Sequence, residues 1–104
     1  MNHIFWKGYC NHDRTKAISD LSEIVNSFGQ IVDSKFYSDF VIVLQIDLPE
    51  TNIVELFKAL KVFMSINESN VQPSTSTLER TIFLNVSFIR GTGNLTVEVP
   101  SVPG

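Results

Sequence analysis

The chain has 104 residues, of which 43% are hydrophobic and 18% are charged, and its formal net charge is −3. This length favours one domain, residues 1–104, with a single core, and the composition excludes an intrinsically disordered chain. The acidic balance argues against nucleic acid as a partner, because binding by counterion release needs clustered lysine and arginine.

The chain begins with a pattern typical of a strand followed by a helix. Aromatic and β-branched residues over Ile4–Cys10 predict the first strand. From Asp13, which can cap a helix, apolar residues recur every three to four positions. Gly29 stands where a helix end favours a left-handed residue, so we expect helix one to end there.

A hairpin and a second helix follow. Residues 30–37 and 40–48 read as two strands joined by a tight polar break at Ser38 and Asp39, and the apolar centre of the second predicts a buried position in the sheet. Pro49 and Glu50 suit a first helical turn, and the apolar stripe that starts at Ile53 predicts helix two.

The last third of the chain predicts a loop and two more strands. Residues 65–79 are rich in Ser, Thr and Asn, which favours a mobile loop. Alternation resumes over residues 80–89, and the glycines of residues 91–93 precede a strand and not a helix, so they indicate a hairpin turn and not a phosphate loop. A fifth strand at Leu95–Val99 leads to the proline-containing tail, residues 100–104.

This order of elements predicts an α+β fold. The sequence β-α-β-β-α-β corresponds to a ferredoxin-like antiparallel sheet with two helices on one face, here with an extra C-terminal strand. The arrangement leaves the second face of the sheet without a cover.

That second face is unusually aromatic in sequence. The two-residue period of the strands puts eight mostly large residues on the side away from the helices: Phe5, Lys7, Tyr9, Ile31, Lys35, Tyr37, Phe83 and Ile89. We interpret this face first as an oligomer or partner surface, second as a concave ligand surface and third as a base-stacking platform. Asp33 and Asp47, expected on the same face, disfavour base stacking.

The turn between the first strand and helix one carries the candidate ligand-binding residues. Asn11, His12, Asp13 and Arg14 lie at the start of a helix, where exposed N–H groups accept a small anion. Arg90, beside the glycine turn, is a second candidate for holding a carboxylate.

Cys10 lies next to this turn and raises the question of metal binding or catalysis. Together with His12 and Asp13 it gives too few donors for a tetrahedral metal site, and a small buried thiol at a strand end is the simpler interpretation. We therefore expect no metal, no cofactor and no catalytic residue, and the single cysteine rules out an internal disulfide.

The run from Ile4 through Met64 resembles an ACT domain. The resemblance lies in the strand, Asp13-Arg14 at the strand–helix turn, the amphipathic helix, and Gly29-Gln30-Ile31-Val32 leading into the hairpin. It implies a ferredoxin-like regulatory module that pairs with other copies and binds an amino acid or a similar small molecule at the subunit interface. The family's usual Asp-Arg-Pro-Gly stretch reads Asp13-Arg14-Thr15-Lys16 here.

These observations favour a non-catalytic regulatory, ligand-sensing or interaction module that acts as a homodimer or higher homo-oligomer. One alternative is a small dimeric α+β-barrel enzyme for an apolar or carboxylate substrate, with a lysine or tyrosine of the second face as acid or base. Another is a structural partner protein that docks through the loop or the tail. With neither an export leader nor a long apolar run in view, we expect a cytoplasmic protein without a membrane span.

Overall fold

Five strands and two helices make up the part of the chain that the computed structural model describes, residues 3–67 and 71–88. A short 3₁₀ helix, Glu50–Asn52, precedes the second α-helix. The strands are β1 (Ile4–Cys10), β2 (Gln30–Ser38), β3 (Val41–Pro49), β4 (Ser65–Ile66) and β5 (Glu79–Phe88), and the helices are α1 (Arg14–Asn26) and α2 (Ile53–Phe63).

The strands form one mixed sheet in the order β2-β3-β5-β1-β4. β5 lies between β3 and β1, and it runs antiparallel to β3 and parallel to β1. The α+β class with two helices is confirmed, but the prediction of an antiparallel sheet is wrong for the β1–β5 pair. The strand that follows the long loop enters the centre of the sheet, where both of its edges are paired.

One face of the sheet is buried beneath both helices. In β3 and β5 every second residue is buried, as in Ile42, Leu44 and Ile46, and the same alternation buries Trp6 and Cys10 in β1. These residues and the apolar stripes of α1 and α2 form a single core cluster. The alternation predicted for β1 and β5 is therefore confirmed, and β3, predicted to lie inside the sheet, is paired on both edges.

Helix α1 begins as predicted, but the reason for the glycine after its end differs from the prediction. Asp13 caps it, since its Oδ1 accepts a hydrogen bond from the Lys16 backbone N–H at 3.1 Å. The prediction of a left-handed Gly29 is wrong, because its φ lies outside the left-handed region. A Cβ at Gly29 would instead lie 2.5 Å from Leu48 Cβ, so glycine is needed for the close approach of the helix end to β3.

Part of the predicted loop over residues 65–79 is attached to the sheet. Its first two residues form β4, which pairs with Gly8 and Tyr9 of β1. Further on, the backbone N–H of Glu50 donates to Leu78 O at 2.9 Å, and that of Thr51 to Ser76 O at 3.0 Å. The glycine turn and the strand predicted at 95–99 lie outside the described residues.

Candidate functional site

The face of the sheet opposite the helices is the most distinctive surface of the described chain, and we call it the open face. It carries the strand residues that alternate with the buried ones. Two neighbouring rows of cross-strand partners cross it: Phe5, Phe83, Gln45 and Asp33 in the first, and Lys7, Asn85, Val43 and Lys35 in the second.

Large aromatic side chains on the open face are exposed. Phe5 is 71% exposed and stacks on Phe83 with ring centroids 5.4 Å apart, while His3 contacts the same ring at 5.2 Å. Tyr37 is 68% exposed on β2, and Tyr9 is more than half exposed on β1. Single exposed apolar residues are ordinary, but a grouped set marks a contact surface.

Two shallow grooves follow the aromatic stack. The larger, of about 490 Å³, runs along β1 and is lined by Phe5, Lys7, Asn67, Phe83 and Asn85 among others. The smaller, of about 240 Å³, lies towards β2 and is lined by Asp33, Lys35, Tyr37, Val43, Gln45 and Phe83. Val43 and Phe83 line both, so the two grooves adjoin each other.

A polar atom in the larger groove lacks a hydrogen-bond partner. Asn85 Oδ1 is buried, and no donor among the described residues reaches it. Asp47, on the same face, is by contrast engaged, since its Oδ1 accepts a hydrogen bond from Thr81 Oγ1 at 2.9 Å. Buried polar atoms in proteins are nearly always paired, so the Asn85 oxygen is an exception among the described residues.

Most residues predicted for this face lie on it, and one does not. Phe5, Lys7, Tyr9, Lys35, Tyr37 and Phe83 all have this orientation, with Asp33 and Asp47 beside them. The placement of Ile31 is wrong: it pairs with the buried Ile46 and packs against the core. An irregularity in register between Ile31 and Asp33 shifts the alternation of β2 by one residue. Ile89 lies outside the described residues.

The turn predicted to bind a ligand is engaged in contacts within the chain. Arg14 Nη1 lies 2.7 Å from Asp39 Oδ1, and its guanidinium lies 4.1 Å from the ring centroid of Phe36. His12 stacks on Phe63 of α2 at 5.0 Å, and Asp13 caps α1. Asn11 is exposed, whereas Arg90 lies outside the described residues. The side chains of this turn thus hold the hairpin and α2 to α1.

Cys10 has the environment of a core residue. Its side chain is fully buried, and burial raises the pKa of the thiol, an effect that a backbone hydrogen bond at His12 partly offsets. A raised pKa keeps the thiol protonated and poorly nucleophilic.

A second polar cluster, which the sequence patterns do not predict, consists of Glu50, Ser74 and Arg80. Glu50 Oε1 lies 3.0 Å from Arg80 Nη1, and Ser74 Oγ donates to Glu50 Oε2 at 2.6 Å. The Ser74 hydroxyl and the Arg80 guanidinium lower the pKa of Glu50. The cluster borders a pocket of about 320 Å³ with apolar walls that include Ile4 and Val71. Glu50 lies 24 residues before Ser74 and 30 before Arg80, so no local sequence pattern links it to them.

The described ranges contain neither a candidate metal site nor a helix that could span a membrane. No group of three His, Cys, Asp or Glu side chains in residues 3–67 and 71–88 is arranged to hold a metal ion. None of the helices found there combines the length and the hydropathy needed to cross a bilayer. Comparison with known protein families, with curated proteins and with solved structures finds no match for this chain.

Proposed function

We propose that this protein is a non-catalytic binding module, acting as a small oligomer, that holds its ligand or partner on the open face of the sheet. The observation that carries the proposal is the exposed aromatic group around the Phe5–Phe83 stack, which lies beside two adjoining grooves. Aromatic side chains exposed together in a groove with few polar groups are typical of a binding surface.

The chemistry of the grooves favours a small molecule with a flat apolar part and a polar end, such as an amino acid. The Phe5–Phe83 stack offers ring faces, and Lys7 and Lys35 supply positive charge in the neighbouring row. Asn85 lines the larger groove and places a polar side chain beside the stack.

The environments of Cys10 and His12, the two residues most able to form a catalytic pair, support a regulatory role without catalysis. The thiol of Cys10 is buried, and the ring of His12 stacks on Phe63, so the pair is not arranged as an activated nucleophile and its base. The ACT-like part of the proposal draws on the β1-α1-β2 and β3-α2-β4 units, with β4 antiparallel to β1. In a ferredoxin-like interpretation β5 is then an insertion between β1 and β3.

A dimeric α+β-barrel enzyme is the second candidate, and one observation favours it. Lys35, Tyr37 and Asp33 line the same groove of about 240 Å³, so groups able to transfer protons face a common space. Lys35→Ala and Tyr37→Phe separate the two functions. An enzyme loses turnover with its fold intact, whereas a binding surface changes only its association.

The proposal is tested by titrating the full chain with the twenty amino acids and with simple aromatic carboxylates. The measurement is the change in the backbone amide NMR shifts at each addition. We expect shifts concentrated on the open-face residues of β1, β3 and β5. Phe5→Ser should weaken binding about tenfold or more, because it removes one ring of the stack. Val62→Ser is the matched control, since Val62 is an apolar residue 90% exposed on α2.

Any of three results would contradict this assignment. Shifts confined to the Glu50–Arg80 pocket would move the site to the other cluster. Equal weakening by Phe5→Ser and Val62→Ser would mean that the aromatic stack has no specific role. Absence of binding by all these compounds would exclude the small-molecule form of the proposal.

A further inference from the structure

We propose that two copies of this chain pair through the outer edge of β2, as antiparallel strands around a two-fold axis, and so extend the sheet from one subunit into the next. The proposal rests on the oligomeric part of the proposed function and names the surface that forms the oligomer. β2 is an edge strand of nine residues, and no strand of the described chain pairs with its outer side. Backbone N–H and C=O groups that no described strand pairs with, as on this outer side, are a template for another strand.

The side chains of β2 are exposed on both faces of the sheet. Eight of its nine residues are exposed, in contrast to the alternating burial of β3 and β5. Phe36 pairs with the buried Ile42 and so lies on the helix side, yet it is 48% exposed, and Val32 is 42% exposed. The helices thus leave apolar surface of β2 uncovered, as expected for a strand that borders a second subunit.

The charges of β2 select a second copy as the occupant. Register irregularities separate Ile31 from Asp33 and Phe36 from Ser38, so the regular stretch is Asp33–Phe36. A two-fold axis at Ser34 places Asp33 opposite Lys35 of the partner subunit, and Lys35 opposite Asp33 of the partner subunit. Opposite charges at directly facing positions of antiparallel strands attract, so this register gains two such pairs.

Neighbouring registers are disfavoured by the same residues. The pleat requires facing residues to lie on the same side of the sheet, so an axis within this stretch passes through a residue. Moving it from Ser34 to Asp33 or to Lys35 brings two identical charges face to face. Val32 precedes this stretch and Phe36 ends it, so the Ser34 register also brings the exposed apolar surface of Phe36 close to that of the partner subunit's Val32.

Charge reversal tests the register directly. Asp33→Lys gives a strand with two lysines, and Lys35→Asp gives a strand with two aspartates. Each variant alone faces like charges across the axis, whereas a mixture of the two restores both opposite-charge pairs in a heterodimer. Glu55→Lys, on α2, is the matched control for the change in net charge made by Asp33→Lys.

The measurement is sedimentation equilibrium of the full-length variants at low ionic strength, with circular dichroism as the check on folding. We expect the native chain to be a dimer and each single variant to dissociate about tenfold or more readily. The one-to-one mixture and the double variant D33K/K35D should both recover dimerisation, while Glu55→Lys should remain like the native chain.

Several outcomes would overturn this interface. A native chain that is monomeric at every concentration, single variants that dimerise like the native chain, or a mixture that fails to associate would each exclude it. Phe5→Ser separates the two proposals, because it alters the open face and not the edge of β2. Loss of ligand binding in that variant with the dimer retained supports both, and a monomeric native chain that still binds ligand leaves the open-face proposal standing alone.

Discussion

The contact between the end of α1 and β3 provides the sharpest test of the fold, and the perturbation is Gly29→Ala. A Cβ at this position would lie 2.5 Å from Leu48 Cβ and 2.6 Å from Asp47 O, against an ordinary contact of 3.4–4 Å. Asp47 and Leu48 belong to β3, which is paired on both edges, so the clash cannot be relieved by a side-chain rotation.

The expected cost follows from this geometry. Forcing an extra methyl into a packed site costs about 1–3 kcal/mol, and a clash with backbone belongs at the upper end. Alanine also restricts the unfolded chain, which offsets roughly 0.4–1 kcal/mol. The net loss of unfolding free energy should be about 2 kcal/mol, which corresponds to a fall in Tm on the order of 10 °C for a domain of this size.

Urea unfolding followed by fluorescence of Trp6, the single tryptophan and a fully buried one, measures this loss. Gly8→Ala is the comparison, because the closest atom to its Cβ would be the flexible Met64 Sδ, at 2.8 Å, while the nearest backbone atom, Ser65 O, is farther away at 3.1 Å. This substitution should cost about half as much. The unfolding free energy of Gly29→Asn, compared with that of Gly29→Ala, separates the two possible reasons for a glycine. Asparagine tolerates a left-handed backbone, so rescue by Asn relative to Ala would refute close approach as the reason for glycine. An unchanged stability in Gly29→Ala would refute it equally.

Two further predictions concern the groups with shifted pKa values. Because the folded-state pKa of Glu50 is lowered, its ion pair stabilises the fold above the usual glutamate pKa of about 4.3, and that contribution is lost as the pH falls through the lower folded value. Glu50→Gln should therefore reduce stability at pH 7 and flatten the acid side of the stability profile in urea titrations; an equal acid loss in both proteins would contradict the assignment. Cys10 should react with an aromatic disulfide reagent at pH 8 only as fast as the protein unfolds, and Thr77→Cys, at an exposed position, is the reactive control. Immediate labelling of the native chain at Cys10 would show that the thiol is accessible.

Much of the architecture could be predicted because its signals are local. Burial alternates along β1, β3 and β5, and it recurs every three to four residues in α2. Both periods can be recognised from residues close together in the sequence. Asp13 could be predicted as a helix cap because capping depends on a side chain and an N–H three residues away. Most of the open face followed from the same two-residue period of the strands.

The remainder depends on contacts between distant parts of the chain. The insertion of β5 between β1 and β3, the role of Gly29 against Leu48, and the Glu50–Arg80–Ser74 cluster each join residues from separate elements. The face predicted for Ile31 is wrong because the register irregularity between Ile31 and Asp33 turns the residues of β2 that precede it to the other face of the sheet. Periodicity shows which faces are apolar, but which strands become neighbours is decided by how all the apolar faces are buried together, and that choice is made only in the tertiary structure.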